Sequence, residues 1–146
     1  MDWEDDATEN LVFEENATYQ RADFESLECW KSARLLRMMV SEFVKKMPED
    51  EKYRLADQLL RASRSVCDNI AEGYGRYHYK DTIRFCLMAR GSLAETKNHL
   101  ITALDEQFLS VSEFDSFIQQ QKDVSKLLNG YIRYLHSLFQ NTQKNQ

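Results

Sequence analysis

A helical repeat of apolar residues between Gln58 and Arg76 constrains the fold more than any other feature of this sequence. Small and apolar side chains recur there every three or four positions, which is the period of an α-helix that buries one face. Charged residues occupy the opposite side, and the stretch ends at two closely spaced glycines, Gly73 and Gly75. Because glycine can adopt the left-handed conformation that closes a helix, we predict that the helix stops at this pair.

Three further segments repeat apolar residues at the helical period. We predict helices over about 26–46, from about 48 to the glycine pair, from 80 or 81 to 107, and over 112–140. The 146 residues include one Pro and four Gly, too few for the many turns of a β-sandwich. We therefore predict an all-α fold, an antiparallel up-down-up-down four-helix bundle over residues 23–140, with a frayed end at 141–146.

Capping residues mark where these helices begin. Ser26 precedes the first apolar repeat and is the predicted N-cap of the first helix. The single proline, followed by three acidic residues, predicts the first turn of the second helix. For the fourth helix, Ser110 and Glu113 have the spacing of a capping box, and Ser112 with Asp115 is the alternative.

Charge is distributed unevenly along the chain. Residues 1–23 contain eight acidic residues and one arginine, a net charge of −7, and the remaining 16 acidic and 18 basic residues give +2. Residues 1–22 lack helical periodicity, so we predict an acidic, flexible tail that either solubilises the protein or folds onto a basic face or a partner. The sequence shows no signal peptide and no apolar run long enough to span a membrane. We therefore expect a cytoplasmic protein without a membrane partner.

No group of residues in the sequence has the pattern of a known catalytic or metal site. Cys29, Cys67 and Cys86 are far apart and lack metal-ligand spacing, so we expect them to be small residues of the core. The sequence lacks the Glu-x-x-His pairs of a di-iron bundle, the phosphate-binding loop and the serine-hydrolase motif. We predict that the protein is not an enzyme and that it holds no metal or cofactor.

Basic residues are concentrated around the second and third predicted helices. The candidate nucleic-acid-binding residues are Arg61, Arg64, Arg76, Lys80, Arg84 and Arg90. Three tyrosines and a histidine accompany them at positions 74–79, and aromatic rings beside basic side chains can stack on nucleobases. The same aromatic loop could equally be a packed corner between two helices.

A polar cluster is predicted where the second helix meets the third, formed by Asn69, Glu72, Gly73, Gly75, Arg76 and Glu95. We expect Arg76 to pair with Glu72 or Glu95, and Asn69 to bond free carbonyls at the helix end. The cluster is then structural, and the alternative is a polar site at an inter-subunit seam or in a ligand groove. A mid-helix glycine costs about 1 kcal/mol relative to alanine, so Gly91 and Ser92 predict a close contact with another helix, either of the same chain or of another subunit.

Short motifs distributed along the chain are typical of a known family. They are Phe24-Glu-Ser-Leu27 with Trp30, Gln58-Leu59, Arg61-Ala62, Ser65-Val66, Asn69-Ile-Ala-Glu-Gly73, Gly75-Arg76, Phe85, Ala89, Gly91-Ser92-Leu93 and Glu95. Over about Phe24 to Leu138 the sequence resembles the small four-helix bundle proteins encoded in intervening sequences of bacterial 23S rRNA genes. Arg64 and Asp68 depart from the family's commonest pattern, which has small or apolar residues at both positions.

The resemblance implies a bundle that assembles into a ring, commonly a homopentamer, with no established enzymatic activity. A distantly similar bundle is the accessory variability protein of diversity-generating retroelements, a basic pentamer that binds nucleic acid and its reverse transcriptase. The resemblance thus predicts a non-enzymatic oligomeric scaffold that binds RNA or DNA, as an accessory subunit of a reverse-transcriptase ribonucleoprotein. The first alternative is a protein-interaction module without a nucleic-acid role. The second is small-molecule binding or catalysis at Asn69, Glu72 and Arg76.

Overall fold

The computed structural model describes residues 23–146, and over that range it contains four α-helices and no strand. The helices are α1 (Glu28–Val44), α2 (Leu55–Tyr74), α3 (Tyr79–Asp105) and α4 (Val111–Lys144), with short 3-10 turns at Phe24–Ser26 and Glu49–Glu51. The predicted all-α class is therefore confirmed. The predicted acidic tail, residues 1–22, lies outside the described residues.

Each helix packs against two neighbours, so the four helices close a square. The contacting pairs are α1–α2, α2–α3, α3–α4 and α1–α4. Side-chain hydrogen bonds link the seams: the Ser65 and Ser92 hydroxyls lie 2.7 Å apart between α2 and α3, and Gln121 donates to the Leu93 carbonyl at 3.1 Å between α4 and α3. Short connections make successive helices antiparallel, which agrees with the predicted up-down-up-down four-helix bundle.

Fully buried aliphatic side chains from all four helices form a single core. The largest of them are Leu36 and Val40 of α1, Leu59, Val66 and Ile70 of α2, Leu100 of α3, and Val124 and Leu128 of α4. Each such side chain stabilises the fold by about 1.5–3 kcal/mol through its removal from water. The apolar repeat seen in the sequence is therefore the face that each helix turns towards its neighbours.

The three cysteines are free and buried in this core, which confirms their predicted role. Burial raises the pKa of the Cys29 and Cys67 thiols to about 11 and that of Cys86 to about 12. Because the thiolate is the reactive form of cysteine, these side chains stay protonated and unreactive at neutral pH.

The first helix begins two residues later than the sequence predicts. Phe24–Ser26 forms a separate 3-10 turn, in which the Asp23 carboxylate accepts a hydrogen bond from the Phe24 N–H at 2.7 Å. The Ser26 hydroxyl donates to the Asp23 carbonyl at 2.7 Å within the same turn. The prediction of Ser26 as the helix cap is wrong because Ser26 belongs to the 3-10 turn, and the residue at the N-cap of α1 is Leu27, which makes no side-chain cap hydrogen bond.

The other helix ends follow the capping rules more closely. The proline leads into a 3-10 turn, and α2 itself begins only at Leu55, whose N–H donates to Glu51 Oε2 at 3.2 Å. Ser110 and Glu113 form both hydrogen bonds of the predicted capping box at the start of α4. At its other end α4 continues to Lys144, four residues beyond the predicted end.

The predicted stop of α2 at the glycine pair is confirmed, because the helix ends at Tyr74, but the predicted left-handed closure is wrong. Gly73 lies inside the helix, and Gly75 is its C-cap with φ −76°, an ordinary right-handed conformation. Among the described residues, the left-handed region is occupied by Gln107 (φ 63°), at the end of α3. There the Phe108 N–H donates to the Ala103 carbonyl at 2.9 Å, which is the reversal that a glycine usually makes.

Gly73 is required by packing between helices. A Cβ atom built on Gly73 would lie 2.8 Å from the Cβ of Phe85 and 3.1 Å from the Thr82 carbonyl oxygen. Both atoms belong to the rigid part of α3, so neither can move aside as the end of a flexible side chain would. The residue is glycine because α2 and α3 are in direct contact at this point.

We expect Gly73→Ala to lower the free energy of unfolding by up to about 2 kcal/mol. The alanine gains about 1 kcal/mol of helix propensity, but the overlap with α3 costs about 1–3 kcal/mol. The matched control is Gly130→Ala in α4, because a Cβ on Gly130 meets only the end of the flexible Arg133 side chain, at an ordinary 3.8 Å, and keeps the propensity gain. Urea denaturation followed by circular dichroism compares the two variants. Equal stability of the two would contradict a tight contact at Gly73.

Candidate functional site

Two arginines and one aromatic ring form the corner between α2 and α3. Arg76 follows α2, and its guanidinium pairs with Glu72, one turn back, at 2.6 Å. The Cζ of Arg76 lies 4.6 Å from the centre of the Phe85 ring, and the Cζ of Arg84 lies 5.1 Å from the same ring. Both distances are within cation–π range. The Phe85 ring therefore holds two guanidiniums at one end of the bundle.

Carboxylates neutralise only part of this corner. Arg84 pairs with Asp81 at 3.7 Å, and Arg76 pairs with Glu72. Lys80 is exposed, and no carboxylate of the described chain lies within 4.0 Å of it. The three cations Arg76, Lys80 and Arg84 are thus accompanied by only two paired carboxylates, those of Glu72 and Asp81. Exposed pairs of this kind contribute about 0–1 kcal/mol, so an incoming phosphate can compete with them.

An aromatic groove of about 320 Å³ adjoins the corner. Its walls come from the α2–α3 loop, the start of α3 and the end of α4, and they comprise Tyr77, His78, Tyr79, Lys80, Asp81, Phe139, Thr142, Gln143 and Gln146. The Tyr77 and His78 rings contact each other edge to face, with centroids 4.7 Å apart. The aromatic loop therefore combines the two predicted alternatives. It is packed against α4 as a corner between helices, and it also lines an open groove in which a ring could stack.

The other candidate nucleic-acid-binding residues lie away from the corner. Arg61 and Arg64 occupy the middle of α2, so Arg61 is roughly 22 Å along the helix from Arg76 at 1.5 Å per residue. Arg61 pairs with Asp57 at 3.1 Å, as its spacing predicts. Arg90 is rotated towards α4, where it donates to Asn129 at 3.5 Å. The six predicted basic residues are thus spread over several faces of the bundle. Arg76 and Arg84 meet at the Phe85 ring, and Lys80 lies one turn before Arg84 on α3.

The predicted polar cluster separates into independent contacts. Arg76 pairs with Glu72, which is one of the two predicted partners. Glu95 instead bonds His99 at 3.3 Å on the same helix, so its assignment to the cluster is wrong. The i,i+4 neighbour on α3 is close to Glu95 in any rotamer, whereas Arg76 lies several turns away.

Asn69 belongs to a hydrogen-bonded chain across the α2–α3 seam. Its Nδ2 donates to the Ser65 carbonyl at 2.9 Å and to the Ser65 hydroxyl at 3.0 Å. The Ser65 hydroxyl lies 2.7 Å from that of Ser92. The prediction that Asn69 bonds carbonyls at the helix end is wrong, because the carbonyl it reaches lies mid-helix, one turn back. This series of hydrogen bonds fixes the register of α2 against α3, so its role is structural.

The outer face of α3 carries a stripe of apolar and small residues. We define the outer stripe of α3 as Leu87, Met88, Gly91, Ala94 and Ile101, all of which are exposed. None of the four described helices approaches Gly91, so a close contact with another helix of residues 23–146, the first of the two alternatives, is wrong for that residue. Ser92, next to it, turns inward to Ser65.

Sequence reasoning missed two aromatic residues of this region. Phe85 has helical spacing with the core residues, which conceals its contact with two arginines. Phe139 lies near the end of α4, more than 60 residues from the aromatic loop. The predicted topology itself was the available signal, since an up-down-up-down bundle brings the end of its fourth helix beside the start of its third.

Two further properties of residues 23–146 bear on function. They include no group of three or more histidine, cysteine or acidic side chains that could hold a metal ion. In the same range, each helix is either too short or too polar to cross a membrane.

Comparison with known proteins identifies the family. No curated protein matches the chain. The family model described as 23S rRNA-intervening sequence protein matches residues 25–130, which include α1, α2, α3 and more than half of α4. The matched range corresponds to the resemblance carried by the sequence motifs and excludes the acidic segment 1–22. On this match, the chain belongs to the 23S rRNA-intervening sequence protein family.

Proposed function

We propose that this protein is a non-enzymatic oligomeric scaffold that binds nucleic acid at the α2–α3 corner. The observation that carries the proposal is the placement of Arg76 and Arg84 on one Phe85 ring, with the exposed Lys80 one helical turn before Arg84. The family description, which refers to an intervening sequence of 23S rRNA, supports the choice of a nucleic acid as the partner.

The corner has the chemistry of a phosphate-binding surface. Arginine presents five N–H donors and matches phosphate oxygens in pairs, while lysine acts as a point charge. The Glu72 contact to Arg76 leaves further donors of that guanidinium available to a phosphate. The whole chain carries a net charge of −5, so binding depends on this local excess of positive charge.

We expect the triple variant Arg76→Glu, Lys80→Glu and Arg84→Glu to bind a 20-nucleotide RNA at least tenfold more weakly at 50 mM salt. The slope of log affinity against log salt should also fall in magnitude by about 2, because phosphate contacts release counterions. Fluorescence anisotropy over a series of salt concentrations measures both quantities.

A matched control has the same change of net charge at the opposite end of the bundle. Lys45, Lys46 and Lys52 are exposed near the α1–α2 connection, and their replacement by glutamate should leave most of the affinity intact. Equal weakening by both triple variants would contradict the proposal, since net charge rather than the corner would then govern binding.

The proposed oligomer is a homopentameric ring in which the outer stripe of α3 contacts a second copy. The stripe extends over about 21 Å of helix, and Gly91 and Ala94 at its centre permit a close approach. A second exposed apolar pair, Leu35 and Met38 on α1, is shorter and lies between the ion pairs Glu28–Lys31 and Glu42–Lys45. The longer apolar surface on α3 is therefore the better interface.

We expect Leu87→Glu with Met88→Glu to dissociate the oligomer to the 17.3 kDa monomer. Two buried carboxylates without partners cannot be accommodated in an apolar interface. Light scattering after gel filtration gives the mass, and Leu35→Glu with Met38→Glu is the matched control, which should remain oligomeric. A wild-type monomer at micromolar concentration would overturn the proposed ring.

The proposed protein partner is a reverse transcriptase, which this chain would serve as an accessory subunit of the ribonucleoprotein. The distant likeness to the accessory variability protein of retroelements supports this partner. The second candidate function is a protein-interaction module without nucleic acid, and the exposed stripe of α3 favours it.

Affinity purification from native extract, with and without nuclease, separates the two candidates. For the scaffold, we expect nucleic acid in the untreated sample and a reverse transcriptase whose recovery falls after nuclease treatment. Protein partners recovered equally in both samples, without nucleic acid, would support the interaction module instead.

A further inference from the structure

We infer that the aromatic groove beside the α2–α3 corner receives one unpaired nucleobase, so that the protein prefers single-stranded nucleic acid to a duplex. The groove is lined by side chains of the α2–α3 loop, the start of α3 and the end of α4. This inference rests on the proposed nucleic-acid binding and names the form of nucleic acid that the site takes.

The size and the walls of the groove suit a flat aromatic ligand. Its volume of about 320 Å³ is at the lower end of the range of small-ligand sites. Tyr77, Tyr79 and Phe139 line it, and each of these rings is partly buried and partly open to solvent. The Tyr77 ring is held edge to face against His78. Partly buried rings provide stacking surfaces whose orientation is already fixed before a base arrives.

The polar residues of the groove match the edge of a base. Gln143 is exposed and offers both a donor and an acceptor. Thr142 donates its hydroxyl to the Leu138 carbonyl at 3.0 Å, so its oxygen remains able to accept a hydrogen bond. Because these groups together offer both a donor and acceptors of hydrogen bonds, they can bind the edge of any base. Such a site distinguishes single strands from duplexes without selecting a particular sequence.

The groove and the basic corner share a border. Lys80 lines the groove and lies one turn of α3 before Arg84, which pairs with Asp81, another residue of the groove. A base in the groove would therefore place its flanking phosphates at Lys80 and Arg84. In a duplex the bases are stacked and paired inside the helix, and entry into a groove of this size requires that the base leave the stack. The geometry consequently favours strands whose bases are already free.

The test compares one 12-nucleotide RNA, alone and annealed to its complement, by fluorescence anisotropy at low salt. We expect the full-length protein to bind the single strand at least fivefold more tightly than the duplex. Phe139→Ala should weaken single-strand binding roughly tenfold and leave duplex binding unchanged, because the loss of one stacking ring affects only an unstacked base. Tyr53→Ala is the control, since Tyr53 is an 85% exposed aromatic residue at the opposite end of the bundle.

A second variant serves if Phe139→Ala fails to fold. Gln143→Glu changes an exposed side chain, so it leaves the core intact, and it places a negative charge at the groove that repels the backbone of a bound strand. It should also reduce the preference for the single strand. Equal binding of strand and duplex, unaffected by either variant, would overturn the inference and leave nucleic-acid binding standing. Failure of both RNAs to bind would overturn the proposed function itself.

Discussion

The contact between α2 and α3 at Gly73 is the constraint on which the candidate site depends. Because Gly73 has no side chain, the Cβ of Phe85 can lie directly against α2. The Phe85 ring then lies beside the residue that follows α2, so Arg76 and Arg84 reach the same ring from two parts of the chain. The Ser65–Ser92 hydrogen bond fixes the register about two turns further along the same seam. Helix packing therefore determines where the positive charge is presented.

This arrangement explains how an acidic chain can present a basic surface. Most of the negative excess belongs to residues 1–23, while the remainder of the chain has a net charge of +2. At the corner, Glu72 and Asp81 orient Arg76 and Arg84 without matching the charge of all three cations. Interactions between exposed charges are screened within about 8–10 Å at physiological salt, so a polyanion at the corner responds mainly to the charges beside it.

The sequence was sufficient to predict what depends on local periodicity. The all-α class, the buried cysteines and the Ser110–Glu113 capping box were all predictable from spacing. The Glu72–Arg76 pair was one of two predicted alternatives, and the structure selects it. The errors arose where a separate 3-10 turn precedes a helix, as at Phe24–Ser26, or where a glycine meets another helix, as at Gly73.

The groove was beyond prediction for a different reason. Its walls join residues 77–81 to residues 139–146, and no local pattern links those two segments. The topology brings the two ends together, but the length of α4 determines whether side chains reach the loop. The predicted end at residue 140 would have removed Thr142 and Gln143 from the helix, whereas α4 continues to Lys144.

Gly73 and Gly91 both occur within helices, but they differ in what lies against them. Each forgoes about 1 kcal/mol of helix propensity, and only at Gly73 does a contact within the described chain account for it. Any surface that packs against Gly91 therefore lies outside residues 23–146 of this chain.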